Sequence, residues 1–411
     1  EQNLSPAGDV DEQVEQTLAY WREWAGSCRY DGPYSNAVIR SALALKLMTF
    51  EPTGAIIASP TTSLPEALGG ERNWDYRYVW LRDSTFTLLA LLRVGYIGEA
   101  RDFMAFIRRI CSHHSRHKSP FQIMYGIEGE TRLTEVAFDH LEGYGGSRPV
   151  RIGNAAYTQT QLDVYGEVLN CIHMFRLRGG FAHEGVSEMP GELLTIVTET
   201  VEWAARHWRN TDSGIWEVRA GRQHFVYSKV MCWVALDRGI KLAEAFRLSA
   251  DLARWRSVRT QIKESILTEG FNERAGAFTQ FYGSDDLDAS ALEIPLVGFL
   301  PVEDPRVQKT IDRIQASLTN NGMVYRYLSA DGLTGSEATF SMCTFWLISC
   351  LALMGRKAEA RERFEYMLSR ANDVGLYAEE MDAATGVQLG NFPQAFTHIS
   401  LINAASELDH G

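Results

Sequence analysis

Two kinds of helical segment alternate along the chain, and this alternation restricts the fold more than any motif does. Residues 83–95 are apolar on nearly every side, a pattern suited only to a helix enclosed by others. Residues 98–112 instead place Phe103, Phe106, Ile107 and Ile110 three and four apart among charged neighbours. Such a helix buries one face and solvates the other. The contrast returns late in the chain. Residues 339–355 carry no charge, whereas in 357–371 Lys357, Glu359, Arg361, Glu362, Arg363, Glu365 and Arg370 surround Ala358, Phe364, Met367 and Leu368.

The same reading predicts helices over 35–48, 83–95, 98–112, 159–177, 191–208, 227–246, 249–267, 287–297, 304–319, 339–355, 357–371 and 394–408. Long stretches rich in Gly, Pro and aromatic residues separate the pairs at 49–82, 113–158, 209–226, 268–286, 320–338 and 372–393. A long connection after every outer helix, with short turns elsewhere, puts all the long loops at one end of an antiparallel ring. The expected fold is therefore all-α, a double ring of six inner and six outer helices with a cleft built from loops at one mouth. A solenoid requires a repeated motif of fixed period, and none is present. Residues 1–34 read as a lead-in with one amphipathic helix near 10–25, and residues 35–411 as the helical domain.

Charge narrows the partners. Lys+Arg 40 against Asp+Glu 52 gives a net charge of −12. With no long basic cluster, nucleic acid and anionic membrane surfaces are poor partners, and a small neutral or cationic molecule fits better. The cysteines are scattered without a Cys-x-x-Cys pair, so neither a disulfide framework nor a thiolate zinc site is indicated. The uncharged run 338–355 approaches the length of a membrane span. Its Ser and Thr residues, and the charged helix that follows at once, favour a buried helix. The acidic start lacks the basic and apolar parts of a signal peptide, which implies a cytoplasmic location. Nothing in the sequence indicates the oligomeric state.

The long loops hold the chemically unusual residues. Arg72, Trp74, Asp75, Tyr76, Arg77, Tyr78, Trp80, Arg82 and Asp83 crowd together just before an apolar helix. That mixture suits a sugar, whose hydroxyls take hydrogen bonds while its ring faces stack on aromatic groups; the competing reading makes Asp83 a helix N-cap. Glu217 follows Trp216 in another loop, where an apolar lining would favour a protonated carboxyl and general-acid work, although a solvated loop glutamate is the commoner fate. Glu379 and Glu380 form a second acidic pair. Being adjacent, they point opposite ways in extended backbone, so only one of them can face the cleft. Two carboxylates on separate loops at one mouth are the minimum for glycoside hydrolysis. His113, His114 and His117 sit where a half-exposed helix ends, a position favoured by the helix dipole, so metal binding is not expected there.

The blocks RNWDYRYVWLRDSTFTLLALL, GIWEVR, HFVYSKVMCWVALDR, GMVYRYLSADGL, LYAEEMD and QLGNFPQAFTHISLI, in this order, resemble glycoside hydrolase family 15. That family contains glucoamylases, glucodextranases, isomaltose glucohydrolases and bacterial trehalases. The resemblance implies an (α/α)6 barrel that releases glucose, with inversion, from the non-reducing end of α-glucosides. It also implies Glu217 as general acid and Glu379 as general base, with Glu380 the runner-up. Trp80, Arg82 and Asp83 would grip the terminal glucose, and Trp216, Tyr76 and Arg326 would also contact substrate. No metal or organic cofactor is implied. An inverting site implies carboxyl groups about 6.5–9.5 Å apart.

Two departures stand out. Bacterial members usually carry an N-terminal β-sandwich, to which no segment here corresponds, and Val387 follows Gly386 where the family often has Glu. The absence of starch-binding segments favours short soluble substrates, and isomaltose-type sugars are expected ahead of trehalose or maltodextrin. A catalytically silent sugar-binding barrel is the alternative of a different class; the presence of both Glu217 and Glu379 argues against it. Epimerases and lyases on related barrels rely on proton transfer by His or Tyr and prenyltransferase subunits on zinc, whereas these loops offer Glu, Trp and Arg.

Overall fold

The computed structural model describes residues 10–113, 119–181, 189–333, 335 and 337–410. His114 and His117 lie outside the described residues. A lead helix α1 (Val10–Gly26) precedes α2 (Ser35–Leu47), α3 (Leu81–Arg93), α4 (Ile97–His113), α5 (Asp163–Leu177), α6 (Gly191–His207) and α7 (Val226–Phe246). There follow α8 (Leu252–Ser265), α9 (Glu293–Leu296), α10 (Pro305–Ser317), α11 (Ser341–Leu353), α12 (Lys357–Leu368) and α13 (Ala395–His410).

Burial separates the rings as the charge pattern predicts. In α11 every side chain from Ser341 to Ala352 is buried, whereas α12 buries only Ala360, Phe364 and Met367. Likewise α8 buries Trp255, Val258 and Ile262, and α10 buries Val307, Thr310, Ile311 and Ile314, spaced three and four apart. Each fully buried Leu, Ile or Phe contributes about 1.5–3 kcal/mol relative to exposure, so the inner ring carries most of the core. Among the inner helices α3 packs on α5, α5 on α7 and α11 on α13; α9 fills the gap between α7 and α11, and α13 returns to α3. This closed ring, with α2, α4, α6, α8, α10 and α12 outside it, is an (α/α)6 barrel.

Two expected helices differ from the observed ones. Residues 287–297 form a 3₁₀ turn, Ala289–Leu292, running into the four-residue α9. Pro295 within that stretch has no N–H for a longer ladder. The helix expected from residue 159 begins at Asp163. The Leu162 amide bonds to the Asp212 carboxylate and the Thr160 carbonyl accepts from the Ser213 amide, so this backbone is committed to a neighbouring loop before a helix can form.

Every long connection runs from an outer helix to the start of an inner one, so the loops gather at the N-terminal ends of α3, α5, α7, α9, α11 and α13. There they make short antiparallel pairs. Val79–Trp80 pairs with Met124–Tyr125, and Thr339–Phe340, Glu380–Met381 and Gln388–Leu389 form a three-stranded patch. Among the described residues no helix is long and apolar enough to cross a membrane; the uncharged run at 338–355 is mostly α11, buried in the inner ring.

Candidate active site

The strand Val79–Trp80 leads directly into α3, so Trp80 occupies the N-cap position and Arg82 and Asp83 fall in the first helical turn. Asp83 is therefore not the N-cap. Its side chain is 5% exposed, and one carboxylate oxygen has no hydrogen-bond partner. Burial pushes its pKa up to about 7 even though Arg82 pulls it down. The Arg82 guanidinium lies 3.4 Å from Asp83, 3.7 Å from Asp163 and 3.6 Å from Glu217, and it donates to Gln161 at 3.1 Å.

Glu217 sits in the turn that follows Gly214. Its φ of 59° is left-handed, which costs a residue with a Cβ roughly 1–2 kcal/mol. That conformation brings Glu217 Oε1 within 2.7 Å of the Trp80 indole N–H. The Trp-lined, apolar setting expected for this carboxylate is thus only partly realised. A nitrogen of Trp80 and the charge of Arg82 face it, and its side chain is 21% exposed. The neighbouring Trp216 turns its own N–H to Asp288 at 2.8 Å and packs edge-on against Phe340.

The adjacent acidic pair diverges as extended backbone requires. Glu379 Oε1 accepts a hydrogen bond from Tyr76 at 2.9 Å, and its other oxygen is buried without a partner. Glu380 points away and is fully buried; it accepts from Arg326 at 3.1 Å and from the Ala338 amide at 3.0 Å. The loop that carries this pair is stitched to the loop that carries Tyr76. Asn391 donates to the Trp74 carbonyl, and the Ala395 amide donates to Ala58. Gly390, at φ 79°, passes so close that a Cβ would lie 3.0 Å from Glu379 Oε2. A side chain there would crowd the unpartnered oxygen.

Behind the acids lies a buried ionic network that sequence reasoning missed. Arg326 contacts Glu66, Glu337 and Glu380, while Arg72 makes a two-point pair with Asp331 and also reaches Glu337. Glu66 is pushed up to about 7, mainly by burial and against the pull of Arg326. Glu379 and Glu380 are held well above the usual carboxylate range, first by burial and next by the charge of Glu66. Glu66 stands in a plain Pro65-Glu66-Ala67 context with no pattern to mark it.

These groups surround two adjoining chambers. Tyr76, Trp80, Arg82, Asp83, Trp216, Glu217, Arg326 and Glu379 all line the small inner one; Glu380 does not. An outer chamber of about 410 Å³ shares Tyr76, Trp216, Glu217 and Arg326 and extends past Trp74, Arg219 and Tyr327. Arg151 and Arg219 lie 4.6 and 4.4 Å from the centre of the Trp74 ring, holding that wall in place. Val387 is half exposed and lines neither chamber. The inner chamber brings together two carboxylates from different loops, the pair of groups that glycoside hydrolysis needs, and the wider outer chamber adjoins it along Tyr76, Trp216, Glu217 and Arg326.

The family model for glycosyl hydrolases family 15 matches residues 32–406. The chain is 47% identical over 400 residues to a trehalase of Mycobacterium tuberculosis, a match covering 96% of this chain and 58% of that protein. It is 42% identical over 398 residues to a trehalase of Thermoplasma volcanium, covering 97% and 62%. It thus spans less than two thirds of the length of either relative. Among solved structures, a bacterial glucoamylase complexed with acarbose aligns with a TM-score of 0.76 at 15% identity, over 98% of this chain and 60% of that one. That likeness is one of fold.

Proposed function

The chain belongs to glycosyl hydrolases family 15, and from that premise we propose that it is an inverting α-glucoside hydrolase acting on trehalose. The observation that carries this reading is the inner chamber, where Glu217 and Glu379 come from separate loops to one pocket floored by Arg82 and Asp83. The substrate follows from the relatives named trehalase at 47% and 42% identity. They favour trehalose over the isomaltose-type sugars expected from the sequence, an expectation that no relative named here supports.

In this reading one glucose occupies the inner chamber, with Arg82 and Asp83 bonding its hydroxyls and Trp80 against its ring. The second glucose lies in the outer chamber. Glu217 donates a proton to the bridging oxygen as the bond from that oxygen to the inner anomeric carbon breaks. Glu379 takes a proton from the water that attacks the same carbon from the opposite face. Tyr76 orients Glu379 through its hydrogen bond, leaving the second carboxylate oxygen free to receive that proton. Residues 35–411 form the catalytic unit, with 1–34 as a lead-in.

Proton NMR spectra recorded during hydrolysis of trehalose, maltose and isomaltose test the proposal. Trehalose should be cleaved fastest, giving equal amounts of β- and α-glucose at first. The attacked ring inverts and the departing glucose keeps its configuration. α-Glucose alone would mark retention and exclude the mechanism, and faster cleavage of either other sugar would exclude the substrate.

A further inference from the structure

The left-handed turn that presents Glu217 is held by a segment outside the sequence blocks that carry the family resemblance. The sequence Thr158-Gln159-Thr160-Gln161-Leu162-Asp163 alternates, and in extended backbone Gln159 and Gln161 project to the same side. Gln159 donates to the Glu217 carbonyl at 3.2 Å, Gln161 donates to the Gln159 side-chain oxygen at 3.2 Å, and Arg82 donates to the Gln161 oxygen at 3.1 Å. With the approach of Arg82 to Glu217 Oε1 at 3.6 Å, this makes a closed circuit. It runs from the guanidinium through two amides to the backbone of Glu217 and back through the Glu217 carboxylate.

The same segment grips the turn independently through its backbone. The Ser213 amide donates to Thr160, the Leu162 amide donates to Asp212, and within the turn the Val218 amide closes onto the Ser213 carbonyl. Gln161 is 2% exposed, so its amide is committed to these partners rather than to water.

We propose that Gln159 and Gln161 are positioning residues that fix the direction of the Glu217 carboxylate toward the bridging oxygen of the substrate. The inference rests on the hydrolase reading above and adds to it a role for two residues outside its acid, base and sugar-gripping groups. Neither glutamine donates or accepts a proton in the reaction. Gln159 anchors the carbonyl end of the strained residue, and Gln161 ties that anchor to Arg82, which faces the carboxylate end. Without the circuit the turn can relax toward a right-handed conformation, which swings the carboxylate away from the scissile bond.

A substrate that needs no protonation separates this role from sugar binding. α-Glucosyl fluoride occupies the inner chamber, and its fluoride departs with little help from an acid, whereas trehalose requires a proton on the bridging oxygen. In both cases water attacks the anomeric carbon and the base takes its proton. Gln159→Leu and Gln161→Leu should therefore lower kcat on trehalose by about 100-fold, the cost of a misplaced reacting group. Turnover of the fluoride by the same preparations should stay within about threefold of wild type, a margin small beside that loss, which also certifies that the variants are folded. Gln159 also lines the outer chamber, so Gln161→Leu, at a position that lines neither chamber, decides the role, with Gln161→Asn as the milder variant if the leucine variant does not fold. Equal losses on both substrates, or no loss on either, would overturn the positioning role while leaving the hydrolase reading intact. A wild-type chain inert on both sugars would overturn that reading and this inference together.

Discussion

Tyr76 donates its hydroxyl to Glu379 Oε1 at 2.9 Å, and the other oxygen of that carboxylate is buried without a partner. One oxygen is therefore tethered and the other is available, which is how a base aimed at a single water should be held.

The bond from Tyr76 lowers the Glu379 pKa against burial and against Glu66, which raise it. A base works only when ionised, so activity falls as pH drops through that pKa. Tyr76→Phe removes a lowering influence and should move the acidic limb of the kcat/KM profile to higher pH, with a loss of roughly tenfold near neutrality, comparable to one charge-assisted hydrogen bond. Glu66→Gln removes a raising influence and should move the same limb to lower pH. Limbs that move in the opposite directions would show that another group titrates there.

Glu379→Gln should lower kcat on trehalose by about 10²–10⁴-fold, the usual contribution of a catalytic base. Glu380→Gln should lose less turnover and more stability, because Glu380 serves the Arg326 network and the Ala338 amide. Rates and melting temperatures measured on both variants decide the assignment, and a reversed ranking transfers the base to Glu380.

Asp83→Asn should cost at least about tenfold in kcat/KM on trehalose and maltose alike, since the inner glucose is common to both and a charge-assisted bond contributes about 1.5–3 kcal/mol. A variant that melts earlier yet turns over normally would leave Asp83 a purely structural role.

Outside the pocket, Glu293 is 7% exposed, and burial lifts its pKa from 4.5 to about 8. A carboxyl raised on folding stabilises fully below its unfolded pKa and loses that contribution as pH rises through the folded value. Glu293→Gln should therefore melt close to wild type at pH 4 and above it at pH 9. Thermal scans in which the variant gains nothing over wild type between pH 4 and pH 9 would contradict the buried, neutral carboxyl.

The architecture was legible because charge reports solvent. The uncharged run that became α11 and the charged run that became α12 admit no exchange of places. The loops were recognisable as the bearers of the candidate site through Trp80, Arg82, Glu217 and Glu379, whose residue types are unusual for connections. Glu66, Glu337 and Asp331 were not, since a glutamate or aspartate in a loop looks solvated until the fold closes over it. The start of α5 was misread for a related reason. Gln159 and Gln161 are acceptable in a helix, and only the competing partners Asp212 and Ser213 hold them extended. The paired strands of two residues at the mouth are too short to show any period.

Of the inner helices only α3 and α13 line the chambers, each through its first turn, and the rest of the ring is spent on the core. The far end of the barrel is thus a foundation with no chemical duty. Heat tolerance and sugar preference are then governed by separate sets of residues. Exchanging the exposed outer-chamber rim at Arg219–Arg222 for other sequences would retune which disaccharide is accepted while the melting temperature stays nearly constant.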